Sequence, residues 1–157
     1  MKKVFYFDSP RAWYRADAAI VWCFDSRFEL AVRKFLDNIG IVNSDAIRIG
    51  GGAKSLASPE QESEREFVLG EIRKSIRLHA TTRVILLSHS DCGAYGRLDG
   101  GFGGNADAEA KHHEQELRKA AAIIAERLPG IAVQAYFVDF EGIWRVEAQP
   151  PQSCIGG

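Results

Sequence analysis

Apolar positions along this chain alternate between two rhythms. Ala18-Ala19-Ile20-Val21-Trp22 is a short unbroken apolar run without helical period, as in a strand buried on both faces. Phe28, Ala31, Val32, Phe35, Leu36 and Ile39 then recur at helical spacing, and Gly40 closes the pattern as a helix C-cap would. A second strand is expected at residues 46–49, ending in Gly50-Gly51-Gly52. Ser58-Pro59-Glu60-Gln61 reads as the N-cap, first-turn proline and capping-box glutamine of a second helix. Val68, Ile72 and Ile76 stack every fourth residue along it. Residues 83–88 form a third buried strand, Arg83-Val84-Ile85-Leu86-Leu87-Ser88. A glycine-rich loop at 100–104 precedes a helix with Leu117, Ala121, Ile124 and Leu128 on one face, stopped by Pro129-Gly130. Residues 133–138 make a fourth strand, and residues 143–146 pair back on it across Glu141-Gly142.

This alternation predicts an α/β fold with a mainly parallel sheet of about four to five strands flanked by helices, the last strand antiparallel. In such sheets ligands bind beyond the C-terminal strand ends, where the strand order switches. Cys23, the triple glycine and His89 all fall at that edge. Residues 1–157 are expected to form one domain, with a core at 18–146, a short N-terminal arm at 1–17 and a loose tail at 147–157.

Charge adds little to this picture. Hydrophobic residues make up 46% and charged residues 26%, with a formal net charge of −1, and no run of like sign stands out. Neither nucleic acid nor an anionic membrane is therefore an expected partner. No apolar run approaches a membrane span and the N-terminus lacks a secretory pattern, so a cytoplasmic location is expected. Three cysteines is an odd number in a chain too long to need a disulfide framework. Cys154, in the tail, reads as a free thiol on a loose end.

The other two cysteines change the picture. Cys23-Phe24-Asp25-Ser26-Arg27 and His89-Ser90-Asp91-Cys92-Gly93 follow two strands predicted to be neighbours. Cys23, His89 and Cys92 offer two thiolates and one imidazole to a single Zn2+ per chain, with a fourth position open, which is the pattern of catalytic zinc. Each motif alone is weak, but their joint placement at strand ends is much stronger. Asp25 can accept a hydrogen bond from zinc-bound water and aim the resulting hydroxide at a small electrophile. Arg27 would hold that carboxylate ionised, and loss of the contact would free Asp25 to close onto zinc. Gly50, Gly51 and Gly52 either line the substrate pocket, with Arg48 or Lys54 near for an anion, or form a tight turn. His112 and His113 read as solvated helix residues rather than proton shuttles, since their helix is strongly charged. Phe5, Tyr6, Phe7, Trp13 and Tyr14 read as packing or dimer contacts.

These residues resemble the β-class carbonic anhydrases. Cys23-Phe24-Asp25-Ser26-Arg27 is similar to that family's Cys-x-Asp-Ser-Arg, and His89-Ser90-Asp91-Cys92-Gly93 to its His-x-x-Cys-Gly. Ile47-Arg48-Ile49-Gly50-Gly51 sits where the family has a strand ending in Arg-Asn-Ala-Gly, and residues 135–142 resemble its last hairpin. The resemblance implies zinc on Cys23, His89 and Cys92, with Asp25 and Arg27 as the catalytic dyad. It also implies reversible hydration of carbon dioxide to bicarbonate, and a homodimer or higher even oligomer with each active site near the subunit interface. Ile49-Gly50 replaces the family's Asn-Ala, the arm before the first strand is short, and no glutamine precedes Gln61. Relatives that hydrolyse carbonyl sulfide or carbon disulfide keep the same ligands, so that activity is an alternative. A weakly active zinc-binding homologue serving as a binding or assembly module is another.

Overall fold

Four parallel strands and one antiparallel strand make a single sheet. They are β1 (Ala18–Trp22), β2 (Ser44–Arg48), β3 (Arg83–His89), β4 (Ala132–Val138) and the antiparallel β5 (Ile143–Val146), ordered β2-β1-β3-β4-β5. The computed structural model describes residues 1–147, so Cys154 and all of the expected loose tail but Glu147 lie outside the described residues. Among the described residues four α-helices flank the sheet: α1 (Glu29–Asn38), α2 (Lys54–Ala57), α3 (Glu62–His79) and α4 (Ala106–Arg127).

Both sheet faces are buried, which is why the strands read as unbroken apolar runs. Ala19, Val21, Val84, Leu86, Ala135 and Phe137 point to one face, where Leu56, Leu69, Ile72, Leu117 and Ile124 of α2, α3 and α4 cover them. Their neighbours Ala18, Ile20, Trp22, Ile85, Leu87 and Val138 point to the other, against Phe28 and Val32 from the α1 region. The period-two alternation of side chains thus splits each strand between two cores.

Three local expectations are corrected. The second long helix starts at Glu62 rather than Pro59, with Gln61 extended at its N-cap and making no side-chain cap bond. Ser58 stands too far back to cap it: it is the C-cap residue of α2, and its hydroxyl donates to the Glu116 carboxylate of α4. The intervening chain contains α2, a single turn too short to leave a periodic signature. β2 begins at Ser44, paired with Ala18 along the full length of β1. Finally, the glycine-rich stretch is not wholly loop, since residues 97–101 form one wide π-helical turn.

Candidate metal centre

The chain leaves β1 toward β2 on one side and leaves β3 toward β4 on the other, so the strand order switches between β1 and β3. These two strands are parallel neighbours, with Ile20 opposite Ile85 and Val21 opposite Leu86. Their C-terminal ends emerge side by side and deliver Cys23 and His89 to one place. Cys92 returns to it after the tight Ser90-Asp91 turn. The ligand atoms of Cys23, His89 and Cys92 all lie within 4.8 Å of one another, and all three residues are buried.

This donor set fits a metal ion. Two metal–sulfur bonds of about 2.3 Å at a tetrahedral angle put the sulfurs about 3.8 Å apart, which the cluster reaches with small side-chain shifts. His89 Nε2 is buried without a hydrogen-bond partner. The other ring nitrogen, Nδ1, lies 2.8 Å from the Ser90 carbonyl oxygen. A proton on Nδ1 donated to that carbonyl leaves Nε2 with its lone pair facing the cysteines, the tautomer a metal needs. The rings of Phe28 and Trp22 pack on the imidazole at 5.0 and 5.9 Å and restrict its rotation.

The sulfurs are electrostatically unequal. The Cys92 thiol beside it, then His89 and the backbone N–H groups of Asp25 and Gly51, pull the Cys23 thiol well below its ordinary range against the opposing effect of burial. Cys92 is pushed up by the neighbouring Cys23 charge and by burial. Burial opposes protonation of His89, but the Cys23 thiolate and the Ser90 carbonyl outweigh it and raise its pKa. Such a mutually dependent pair of sulfurs and imidazole favours displacement of its protons by a cation.

Asp25 and Arg27 follow Cys23 at the start of a short 3-10 turn. Asp25 caps that turn, accepting the Arg27 backbone N–H at 2.9 Å. It also receives the Arg27 guanidinium, Nη2 to Oδ2 at 2.7 Å and Nε to both oxygens at 3.1 Å. The guanidinium holds the Asp25 carboxyl down at about 2. Asp25 Oδ2 stands 4.0 Å from His89 Nε2, so the carboxylate borders the ligand cluster without occupying it.

A cleft of about 610 Å³ opens over these groups, lined by Cys23, Asp25, Arg27 and Cys92, with Phe24 and the glycine loop on its wall. Gly50 and Gly51 line it; Gly52 does not. Gly52 is buried with φ +56°, and a Cβ there would stand 2.5 Å from the Leu87 carbonyl oxygen and 3.0 Å from the Cys23 nitrogen. The triple glycine is therefore both a tight turn and, at its first two positions, a pocket wall. The cations expected beside it are engaged elsewhere. Arg48 pairs with Glu29 and donates to the Cys23 carbonyl, and Lys54 donates to the Ser58 carbonyl at 3.2 Å.

Sequence reasoning missed three participants. Asp91 pairs with Arg27 at 2.8 Å, and Glu109 of α4 accepts hydrogen bonds from the Ser90 hydroxyl and the Asp91 N–H. His113, read as solvated, is 0% exposed, stacked on Phe137 at 5.1 Å and edge-on to Tyr95 at 4.5 Å. A signal was present: Glu109, His113 and Glu116 recur on the same helical stripe as Leu117, Ala120 and Ile124, and polar residues on an apolar stripe are buried for a reason.

The fold matches the β-carbonic anhydrase architecture. β-Carbonic anhydrase isoform I from Trichomonas vaginalis superimposes with a TM-score of 0.60 at 12% identity, over 91% of this chain and 88% of that one. A carbonic anhydrase from Glaciozyma antarctica gives a TM-score of 0.54 at 22% identity, over 86% of this chain and 84% of that one. In sequence, an uncharacterized protein of Rickettsia bellii is 24% identical over 142 residues, spanning 88% of this chain and 87% of the relative. A second, from Rickettsia conorii, is 25% identical over 130 residues, spanning 82% of this chain and 70% of the relative. The sequence profile of the family described as "Putative carbonic anhydrase" matches residues 15–148. The chain belongs to that family.

Proposed function

We propose that this chain catalyses the reversible hydration of carbon dioxide to bicarbonate and a proton, with Cys23, His89 and Cys92 holding one Zn2+ per chain. The observation that carries the reading is a Cys-His-Cys cluster beside a carboxylate clamped by an arginine, at the strand switch of a carbonic anhydrase fold. When bound, zinc would supply the Lewis acidity that brings the pKa of a water toward about 7.

The chain's own groups supply orientation. Asp25, held ionised by Arg27, is an acceptor only, so it would take a hydrogen bond from the attacking oxygen and turn a lone pair toward the substrate carbon. A carboxyl held at about 2 keeps almost no proton at neutral pH, so Asp25 aims the nucleophile rather than storing its proton. Gly50 and Gly51 leave the facing wall free of side chains, and Phe24 and Ala94 give it apolar surface suited to a small uncharged molecule.

Further parts of the reading concern the whole molecule. One sheet with both faces covered supports a single domain. Phe5, Phe7 and Trp13 stand in solvent, with Trp13 85% exposed, which supports burial of the arm in a homodimer or a higher even oligomer. No helix among the described residues is long and apolar enough to cross a membrane. With the balanced charge, that favours a cytoplasmic enzyme without a nucleic-acid or membrane partner. Stopped-flow carbon dioxide hydration by zinc-loaded protein, beside sulfide release from carbonyl sulfide and carbon disulfide, tests the substrate. Hydration without sulfide release is expected; sulfide release without hydration, or neither activity, would refute the proposal.

A further inference from the structure

We propose that Glu109 is a positioning residue for the metal centre, fixing the Ser90-Asp91 turn that joins His89 to Cys92. The inference rests on the zinc reading above and extends it to a residue on α4, outside both ligand motifs.

Glu109 is 1% exposed, and no cationic side chain pairs with it among the described residues. Taking a carboxylate out of water is costly unless its oxygens are satisfied, and an apolar side chain would fill the same space without that cost. Both oxygens are spent on one loop: Oε2 accepts the Ser90 hydroxyl and Oε1 accepts the Asp91 N–H at 2.7 Å. Glu109 sits in the first turn of α4, where the helix dipole favours a negative charge.

The two residues it holds are the ones that orient the ligands. The Ser90 N–H donates to the Val138 carbonyl at 2.8 Å, its hydroxyl is held by Glu109, and its carbonyl lies against His89 Nδ1 at 2.8 Å. Ser90 is therefore pinned at two points and uses the third to turn the imidazole. Asp91 adopts φ +55°, a left-handed conformation that a non-glycine residue resists, and its N–H is tied to Glu109. Cys92 follows directly. The same turn presents the Asp91 carbonyl and carboxylate to Arg27, at 3.0 and 2.8 Å. Without Glu109 the Asp91 N–H and the Ser90 hydroxyl lose their acceptors, and the turn between His89 and Cys92 is held only by its bonds to Val138, Arg27 and Leu98.

The test is metal affinity, read on the full chain by competition between the metal-free protein and a chromophoric chelator, with the visible spectrum of the cobalt(II)-substituted protein as signature. Glu109→Ala should weaken zinc binding about 10- to 100-fold, the usual effect of removing a partner that orients a ligand, and should alter the cobalt bands. Glu109→Gln should retain affinity within a few-fold, because its amide oxygen can accept the Asp91 N–H while its NH2 donates to Ser90. Glu116→Ala is the control: it removes another buried carboxylate from α4, one whose hydrogen bond comes from Ser58 and not from the Ser90-Asp91 turn. If Glu109→Ala does not fold, Ser90→Ala removes one of the two contacts and should show a smaller loss. Parent-like affinity and cobalt bands in Glu109→Ala, or in Ser90→Ala where that variant stands in for it, would overturn the inference. Equal weakening in Glu109→Ala and Glu116→Ala would also overturn it. If the parent protein itself binds neither metal, the zinc reading fails first and takes this inference with it.

Discussion

Asp25 and Asp91 share one guanidinium. Arg27 Nη2 lies 2.7 Å from Asp25 Oδ2 while its Nη1 lies 2.8 Å from Asp91 Oδ2, so one arginine cross-links the loops that follow β1 and β3. Each of those loops carries cysteine from the ligand cluster. Asp91 is held below the usual carboxylate range by Arg27 and by the Leu98 N–H. The network keeps the Arg27 head in place while it grips Asp25, and so keeps Asp25 beside the cluster of Cys23, His89 and Cys92.

Removing either member of the Asp25–Arg27 pair should therefore leave the metal bound but misdirect the nucleophile. Asp25→Ala and Arg27→Ala are expected to retain one zinc per chain by elemental analysis and to lose activity by about 10- to 100-fold. Asp91→Asn should lose less, since the Asp25 contact remains. Parent rates in both alanine variants would reduce the pair to a surface ion pair of the kind that contributes little.

His113 makes a prediction about stability. Burial, followed by the proximity of His112 and His89, pushes its pKa down to about 3, and neither ring nitrogen has a hydrogen-bond partner. The folded chain holds it neutral, whereas the unfolded chain binds a proton near about 6.5. The unfolded state thus takes up more protons, so this contribution is intact above about 6.5 and is lost as pH falls toward about 3. His113→Phe keeps the stacking and removes the titration. Its urea midpoint should fall less than the parent's between about pH 7.5 and pH 4.5. Parallel falls in the two proteins would show that His113 does not titrate with unfolding.

Much of this architecture was legible because period-two and period-3.6 patterns report burial directly. β1, β3, β4 and the apolar stripes of α3 and α4 fall where the patterns place them, and the ligand cluster follows from two strand ends. The start of α3 is displaced because residues 54–57 form the single turn of α2 with Ser58 as its C-cap, and one turn leaves no periodic signature. Glu109 and His113 were missed for another reason. Their polarity reads as a solvated face until helix phase is given priority over residue type. Asp91 stood within a ligand motif, but its grip on Arg27 depends on the fold that brings residues 27 and 91 together.

The N-terminal arm should bury itself in an assembly. Tyr14 anchors its end, donating to Asp45 at 2.7 Å and lying 4.2 Å from the His79 ring, while Phe5, Phe7 and Trp13 remain exposed. Light scattering at micromolar concentration should give the dimer mass or a whole multiple of it. Replacing Phe7 and Trp13 together by serine should shift the population toward monomer. A parent protein that stays monomeric would refute the interface.

The most direct measurement is a zinc titration of chelator-treated protein, with carbon dioxide hydration as the readout. The account predicts negligible activity without metal, a linear rise with added zinc and a sharp break at one equivalent per chain. In Cys92→Ser and His89→Ala the rise should be absent at the same zinc concentrations, because two remaining ligands hold the ion poorly. Full hydration activity in the metal-free protein, or none at saturating zinc, would contradict the account.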